Sequence, residues 1–429
     1  MQNGILVALI RWSETHRFVV IGMSAVLAIL GLLTLPLQRL DAIPDISDTQ
    51  VILYAKWDQP PDLIETQVTY PLTTALLGAP KVKSVRGFTN EGFALVYVLF
   101  EEGTDLYWAR SRVAELLAKT TPGLPTDAHV EMGPDATGVG WVFQYALVDD
   151  TGKQTLADLR GLQNWSLRYS LQATPGVAEV ATVGGFEKEY QVTVLPGALE
   201  QYNLTFKAIV EAVRKATMDV GGGQIDLARN FIVRGRGLAH TVEDLQRAVV
   251  YGQHSKTDLN AGAVPLLLRD IARIELVPRA RQGVSDLDGR GEAVGGIVIM
   301  RQGQNALEVI HRVKERLKNL QQSLPAGVRI VTTYDRSQLI RHSVGTFRRE
   351  LVLAAVVVSL VILIFLRHLP SVFVAVTIIP VTLLIALLPM FWLGVNFNIM
   401  SLGGIVLSVG VLVDGAIIEV ENVFIADWN

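Results

Sequence analysis

Hydrophobic and polar positions divide the chain into apolar runs near both ends and a polar region between them. The first run, residues 18–37, carries no charge. As a helix it is long enough to cross the roughly 30 Å hydrocarbon core of a bilayer. Three more runs follow the polar region, at residues 351–366, 372–393 and about 399–425. Short connections separate these runs, so the pattern predicts four membrane helices.

The charges beside the first run predict the orientation of the chain. Arg11, His16 and Arg17 precede it, which places the N-terminus in the cytoplasm by the positive-inside rule. A cleaved signal peptide is the alternative, but its apolar core would be shorter and would end in small residues, so a retained anchor is favoured. Counting the crossings then places the polar region outside the membrane, which is the periplasm of a Gram-negative cell.

The polar region contains a strand and helix pattern that occurs twice. The first copy follows the order β-α-β-β-α-β, the split-βαβ pattern. The second copy resembles it with an interruption, and both copies close with a helix, a Leu-Pro pair and a strand. In the first copy we predict strands at 49–57, 83–90, 93–101 and 129–132 and helices at 61–77 and 105–119. In the second copy we predict strands at 141–148, 178–183, 187–194, 294–301 and 328–333 and helices at 156–173 and 305–323. The interruption at about 199–285 indicates an inserted subdomain.

The predicted fold is therefore a membrane bundle of four α-helices combined with α+β subdomains of the ferredoxin-like split-βαβ type. Its predicted parts are residues 1–38, with the first membrane helix; 39–127, the first outer subdomain; 128–335, the second, with the insertion at about 199–285; and 336–429, with the other three membrane helices.

Composition excludes several classes of function. The net charge of −3 leaves no basic surface typical of a nucleic-acid binder. Because the chain has no cysteine, disulfides, thiolate metal sites and cysteine nucleophiles are excluded, and metal chemistry would need Met, His or carboxylates. Gly221, Gly222 and Gly223 lack a following Lys-Ser/Thr pair, so we interpret them as a flexible loop rather than a phosphate-binding one. No nucleotide-binding motif is recognisable, which points to an ion gradient as the energy source and not to an enzyme.

Two carboxylates in the last apolar run are candidate proton carriers. A charged side chain inside hydrocarbon is costly unless it is paired or faces a cavity. Glu421 follows Asp414 by seven positions, so the two lie within about 20° of one helix face, whereas Glu419 is rotated roughly 140° from Asp414. The alternative is that these acids bond neighbouring helices or lie near the headgroups. That alternative is stronger for Glu421, which is close to the end of the run.

Candidate metal ligands in the outer region are few. His129 and Glu131 would share one face of a strand, although a solvated strand edge explains them equally well. The remaining histidines have no ligand spacing.

Seven segments resemble the heavy-metal efflux pumps of the resistance-nodulation-division (RND) superfamily, and are similar in particular to the inner-membrane subunits of the CusA/CzcA type. The segments are LDAIPDISD (40–48), VTYPLTT (68–74), VRGF (85–88), YWARSR (107–112), GPDATGVGW (133–141), TTYDRSQL (332–339) and NIMSLGG (398–404).

The resemblance implies a proton-driven homotrimer in the bacterial inner membrane that exports heavy-metal cations by proton antiport. The two outer subdomains would be porter subdomains, and the insertion would be a docking subdomain for a periplasmic adaptor and an outer-membrane channel. The match of VDGAI to the family signature implies that Asp414 is the relay aspartate. Met400 corresponds to a methionine of the copper/silver members. The metal is the transported substrate, and no cofactor is implied.

The chain departs from the family pattern in three respects. It matches only the N-terminal half of a pump, so a separate chain would have to supply the other half. Leu412 and Glu419 stand where copper/silver members place methionines, which leaves divalent metals open. The segment after Asn422 lacks the basic stretch of the family, as a split gene, a premature stop or a fragment would explain. The alternative function is a non-transporting half-pump or a membrane-anchored periplasmic binding or assembly protein; a drug exporter is disfavoured by the 40–48 and 133–141 segments.

Overall fold

The described part of the chain forms fourteen α-helices and twelve strands. The computed structural model describes residues 12–13, 15–218, 220–227, 229–235, 238–250, 265–281, 283–366 and 369–426; side chains are described for these residues except 220–235, 365–366, 369, 371, 375, 413, 416 and 419–426.

The helices are α1 (Arg17–Thr34), α2 (Pro61–Ile64), α3 (Tyr70–Leu77), α4 (Leu106–Thr120), α5 (Leu156–Leu162), α6 (Arg168–Gln172), α7 (Ala198–Gln201), α8 (Phe206–Ala216), α9 (Val242–Gln246), α10 (Leu268–Ile271), α11 (Ala306–Gln321), α12 (Arg336–Leu366), α13 (Leu369–Trp392) and α14 (Ile399–Ala426). Two π-helical turns, Glu65–Thr69 and Gln163–Leu167, join α2 to α3 and α5 to α6.

The strands are β1 (Gln50–Lys56), β2 (Val82–Asn90), β3 (Phe93–Phe100), β4 (His129–Met132), β5 (Trp141–Asp149), β6 (Val177–Val183), β7 (Lys188–Val194), β8 (Val220–Leu227), β9 (Arg229–Gly235), β10 (Ala272–Pro278), β11 (Val294–Met300) and β12 (Val328–Asp335). Contacts divide the chain into two units. The first comprises Met1–Thr151, Gln163–Val183 and Gly295–Asn429, and the second Gly152–Leu162 and Gly184–Val294.

The first unit contains two four-stranded sheets with the same topology. The strand order is β2-β3-β1-β4 in the first sheet and β12-β5-β11-β6 in the second. In each sheet the first and third strands of the repeat lie in the centre and the fourth and second at the edges. This is the order of the split-βαβ pattern, so the predicted repeat is present as two equivalent sheets.

Buried and more exposed side chains alternate along β1 and β3, so one face of the first sheet is buried. Leu53 of β1 and Val96 and Val98 of β3 are fully buried and pack with Leu72 of α3 and Val113 of α4. Side chains at successive strand positions point to opposite faces, so the period of two directs every second residue into this core. An Asp105 cap begins α4, since its carboxylate accepts a hydrogen bond from the backbone N–H of Trp108 at 2.8 Å.

The long helices of the first unit only partly match the predicted membrane bundle. Within the described residues two stretches are long and apolar enough to cross a membrane, Arg17–Leu37 and Val372–Trp392, while Ile399–Leu412 is a shorter apolar helix. The polar start of α12 follows β12 without a connecting loop. All four predicted apolar runs contain a long helix, and among the described residues two of them have the length and composition of a membrane span. The other two membrane helices stay a prediction.

The helices pack through apolar and small residues. Val358 and Ile362 of α12, Ile379 of α13 and Val409 of α14 form a buried cluster. Helices α1 and α13 approach closely at Gly31, where a Cβ atom would lie 1.8 Å from the carbonyl oxygen of Leu384. A small residue at such a contact lets two helix backbones approach each other.

The second unit has its own core. Strands β7 and β10 form a two-stranded antiparallel sheet in which Val192 faces Ile274, and Ile209, Leu245 and Leu268 pack in the same buried cluster. Strands β8 and β9 form a hairpin. A capping box begins α9, because Thr241 and Asp244 accept each other's backbone N–H bonds.

Three local predictions differ from the structure. The strand predicted at 187–194 does not join the second sheet; it is β7, which pairs with β10. Gly184 and Gly185 have φ of +71° and +69°, and a Cβ atom at Gly184 would lie 2.0 Å from the carbonyl oxygen of Ala293. The chain therefore leaves the sheet at a turn that only glycine fits.

The other two differences lie in the insertion. The triple glycine is part of strand β8 and not a loop, with a register shift between Gly221 and Gln224. The strand predicted near 264–269 starts instead at Ala272, after the short helix α10; residue 264 itself lies outside the described residues.

Candidate functional site

Asp414 lies in the second half of α14 with an exposed side chain. Val409, which packs on α12 and α13, precedes it by five positions, so the two side chains are separated by about 140° around the helix. Asp414 therefore lies off the face of α14 on which Val409 packs against α12 and α13. Glu421 lies on the same helix, but its side chain is outside the described residues. The relay role of both acids stays a prediction.

Met400 is exposed at the first turn of α14, and Asn398 caps this helix. The carboxamide oxygen of Asn398 accepts hydrogen bonds from the backbone N–H groups of Met400 and Ser401, each at 2.9 Å. The Asn398 side chain is buried, whereas Met400 is 72% exposed. The role of the Met400 thioether as a metal ligand stays a prediction.

His129 and Glu131 lie on β4, an edge strand of the first sheet. Both are exposed on the same face, as the alternation predicts. Lys56 is opposite His129 and Tyr54 is opposite Glu131 in the register, so a cation is the direct neighbour of the histidine. Among the described residues no group of three or more His, Asp or Glu side chains is placed to hold a metal ion. A ligand role of the pair stays a prediction.

Four of the seven segments that carry the resemblance meet at the end of the helices. The segment after α1 runs beside the connection between α13 and α14: the N–H of Asp41 donates to the carbonyl of Phe397, and the N–H of Phe397 donates to the carbonyl of Arg39, both at 2.9 Å. The N–H of Ile399 donates to the carbonyl of Ala42 at 3.2 Å. These bonds join segment 40–48 to segment 398–404.

Arg336, the first residue of α12, lies where segments 40–48 and 398–404 meet. We call this meeting point the junction. Its side chain is only 4% exposed. One guanidinium nitrogen lies 3.4 Å from the Asp41 carboxylate and another donates to the carbonyl of Trp141 at 2.8 Å. Segments 133–141 and 332–339 thus reach the same point. Breaking a buried ion pair leaves an uncompensated charge and is strongly destabilising, so this contact fixes three segments together.

A neighbouring ion pair fixes the end of β12. Lys314 of α11 bonds to the buried carboxylate of Asp335, the residue before Arg336. Burial alone would raise the pKa of Asp335, but the hydrogen bonds from Lys314 and Ser337 outweigh burial and lower it. Asp335 therefore stays charged, and the strand end is held against α11.

The linker between the two sheets, residues 133–140, is held by polar side chains from both sides. Arg110 of α4 donates to the carbonyl of Gly133 at 2.8 Å, and the Tyr107 hydroxyl donates to Asp135 at 2.9 Å. That bond to Asp135 is the main cause of a raised pKa of Tyr107. From the second sheet, Arg301 lies 3.5 Å from Asp135. The linker therefore has a defined path between the sheets.

A small cavity lies next to the junction, between the segment after α1 and the end of β11. Its volume is about 40 Å³, and Asp41, Asp45, Met300 and Asn396 are among the residues that line it. Thr137 donates to Asp45 at 2.9 Å across it. This volume holds about one or two water molecules, so the cavity is part of the junction and not a pocket for a larger ligand.

The comparisons with known proteins agree with this fold. The sequence profile of the AcrB/AcrD/AcrF family matches residues 9–426. Cation efflux system protein CusA of Escherichia coli K12 is 46% identical over 96% of the chain, and putative cation efflux system protein SilA of Salmonella typhimurium is 45% identical over 98%. The cobalt-zinc-cadmium resistance protein CzcA of Cupriavidus metallidurans is 31% identical over 96%.

A solved structure of a pump has the same fold over nearly the whole of this chain. The crystal structure of a heavy metal efflux pump superposes with a TM-score of 0.82 at 28% identity, over 97% of this chain and 41% of that one. The chain spans 39% of the length of CusA and CzcA and 40% of SilA. Its fold is thus that of a heavy-metal pump of the RND class, over about two fifths of such a pump. The chain belongs to the AcrB/AcrD/AcrF family.

Proposed function

We propose that the chain is the N-terminal half of a proton-driven pump that exports heavy-metal cations across the bacterial inner membrane. The supporting observation is the 46% identity to a cation efflux protein over 96% of the chain, including the helix that carries Asp414. Asp414 would carry protons, with Glu421 further along the same face. The chain would act as a transporter and not as an enzyme, without a cofactor, and the metal would be its substrate.

Copper(I) and silver(I) are the favoured substrates. The identity of 45–46% to CusA and SilA exceeds the 31% to CzcA. Met400 is an exposed thioether, and thioethers prefer these soft cations, whereas carboxylates suit harder divalent ions.

In the proposed pump the apolar parts of α1, α12, α13 and α14 are four membrane helices, and the two sheets are porter subdomains in the periplasm. The second unit would act as the docking subdomain for a periplasmic adaptor and an outer-membrane channel, in a homotrimer. The chain spans 39–40% of the length of these curated relatives, and the remainder of the pump would supply further helices. Asp414 is exposed on the side of α14 that such helices would cover.

Metal tolerance tests the proposal. A silver-sensitive host would express the chain alone, the chain with a polypeptide covering the remainder of CusA, and the same pair with Asp414→Asn. The corresponding first part of CusA with the same remainder is the positive control. We expect the pair to restore tolerance and Asp414→Asn to abolish it. A control that works beside a pair that does not would contradict transport.

The second candidate is a membrane-anchored binding or assembly protein without transport. The exposure of the Asp414 side chain among the described residues favours this candidate. It predicts metal binding or association with the adaptor that is unchanged by a proton gradient and by Asp414→Asn.

A further inference from the structure

Arg336 joins parts of the chain that are far apart in sequence. It is the first residue of α12 and directly follows Asp335, the last residue of β12. One guanidinium nitrogen pairs with Asp41, 295 positions away, and another donates to the carbonyl of Trp141 at the start of β5. The side chain thus contacts the segment after α1 and strand β5 of the second sheet.

Asp41 connects this guanidinium to the helix that carries Asp414. The backbone of Asp41 is bonded to Phe397, and Phe397 directly precedes Asn398, which caps α14. Between the start of α14 and strand β5 there are therefore three consecutive contacts: Phe397 with Asp41, Asp41 with Arg336, and Arg336 with Trp141.

Energetics favour these contacts moving together. A guanidinium this deeply buried is stable only while its charge is paired, so Asp41 cannot withdraw without leaving Arg336 uncompensated. Small shifts at packed helix ends are passed on as discrete rearrangements. Contiguity alone does not establish coupling, however; a demonstrated dependence between the two ends does.

We propose that Arg336 is a positioning residue that transmits changes in α14 to the second sheet through Asp41. The inference rests on the proposed function, because it takes the change in α14 to originate at Asp414. Arg336 does not touch the metal or the proton; it sets the position of β5 and β12 relative to the helices.

Distance measurements between two spin labels test this inference. The chain has no cysteine, so labels can be attached at Lys318→Cys on α11 and Leu407→Cys on α14, both exposed. The full chain in nanodiscs would be compared with and without Asp414→Asn, which mimics the protonated carboxyl. We expect Asp414→Asn to shift the distance distribution, by about 1–2 Å as for helix shifts at interfaces.

The same pair of measurements is then made with Asp41→Asn, which retains size but removes the charge. We expect the shift to disappear, and to return with Asp41→Glu, which restores the carboxylate. Arg281→Gln is the matched control: it removes a bidentate pair with Glu292, at 2.5 and 2.6 Å, in the second unit, and the shift should remain.

The outcomes separate the two proposals. A shift that persists with Asp41→Asn would overturn the role of Arg336 and leave the relay role of Asp414 intact. An unchanged distance distribution after Asp414→Asn in the parent chain would also overturn the role of Arg336, because no change would then pass from α14 to the second sheet; the metal-tolerance test decides the proposed function separately. Melting curves of each variant confirm that the fold is retained, and Arg336→Lys, which keeps the charge but not the forked geometry, should reduce the shift.

Discussion

Among single residues, Asp158 is a case in which local bonding sets a titration. The ammonium of Lys188 at 2.6 Å, followed by the side chain and N–H of Thr155, lowers the pKa of Asp158 from 3.8 to about 2. A carboxylate with a lowered pKa contributes stability above its unfolded pKa, and this contribution is lost as the pH falls through the folded value.

We therefore predict a pH-dependent effect of Asp158→Asn. Both partners are more than a third exposed, so solvent screening limits the loss of stability near pH 7 to below about 1 kcal/mol. The difference in stability between the variant and the parent protein should vanish as the pH falls from about 5 to about 2. Melting temperatures across this range measure it, with Asp127→Asn as the control. An equal difference at pH 7 and at pH 2 would contradict the assignment.

Residue patterns predicted only part of the candidate site. Asp414 was predicted because a carboxylate in an apolar run is a local signal, and Met400 because its segment resembles the copper/silver pumps; the roles of both stay predictions. The pair of Asp41 and Arg336 spans 295 positions, and no periodicity links residues that far apart. The membership of both in motif segments was the only available signal, and it indicated the family without indicating the contact.

At the scale of elements, close packing of α1 on α13 makes Gly31 a critical position. A Cβ atom there would lie 1.8 Å from a backbone oxygen, whereas at Gly22 on the same helix it would meet nothing within 4 Å. We predict that Gly31→Ala lowers the melting temperature of the detergent-solubilised protein and that Gly22→Ala does not, since alanine is otherwise the better helix former. Equal effects of the two would contradict this packing.

The core of the first sheet gives a second prediction for an element. Leu53 of β1 is fully buried, whereas Leu63 of α2 is 36% exposed. Leu53→Ala should destabilise the protein by about 2–5 kcal/mol through lost burial and a cavity, and Leu63→Ala by much less. Thermal unfolding in detergent compares the two, and a larger effect at Leu63 would be inconsistent with the register of β1.

Strand and helix types were predictable where the period was clear. The alternation in β1 and β3 and the polar and apolar faces of α11 gave the right elements. The assignment of β7 was wrong because a strand pattern does not state its partner, and the turn at Gly184 and Gly185 that removes β7 from the sheet is a tertiary constraint. The triple glycine was misread because hairpin pairing overrides its low strand propensity.

For the whole molecule, the proposed topology places the two sheets outside and the connection between α12 and α13 inside the cell. Single cysteines in the cysteine-free chain test this with a membrane-impermeant maleimide. Glu102→Cys, after β3, should react in intact spheroplasts, and Pro370→Cys only after permeabilisation. Reaction of Pro370→Cys from outside would contradict the crossing of α12.

In the proposed pump, protons that bind Asp414 drive the export of the metal. The most direct measurement is silver movement into inside-out vesicles that contain the chain together with the remainder of CusA, under an imposed pH gradient. We predict uptake that requires the gradient and falls to background with Asp414→Asn, while the equivalent CusA pair serves as the working control. Uptake that is unchanged by Asp414→Asn, or no uptake where the control transports, would contradict the account.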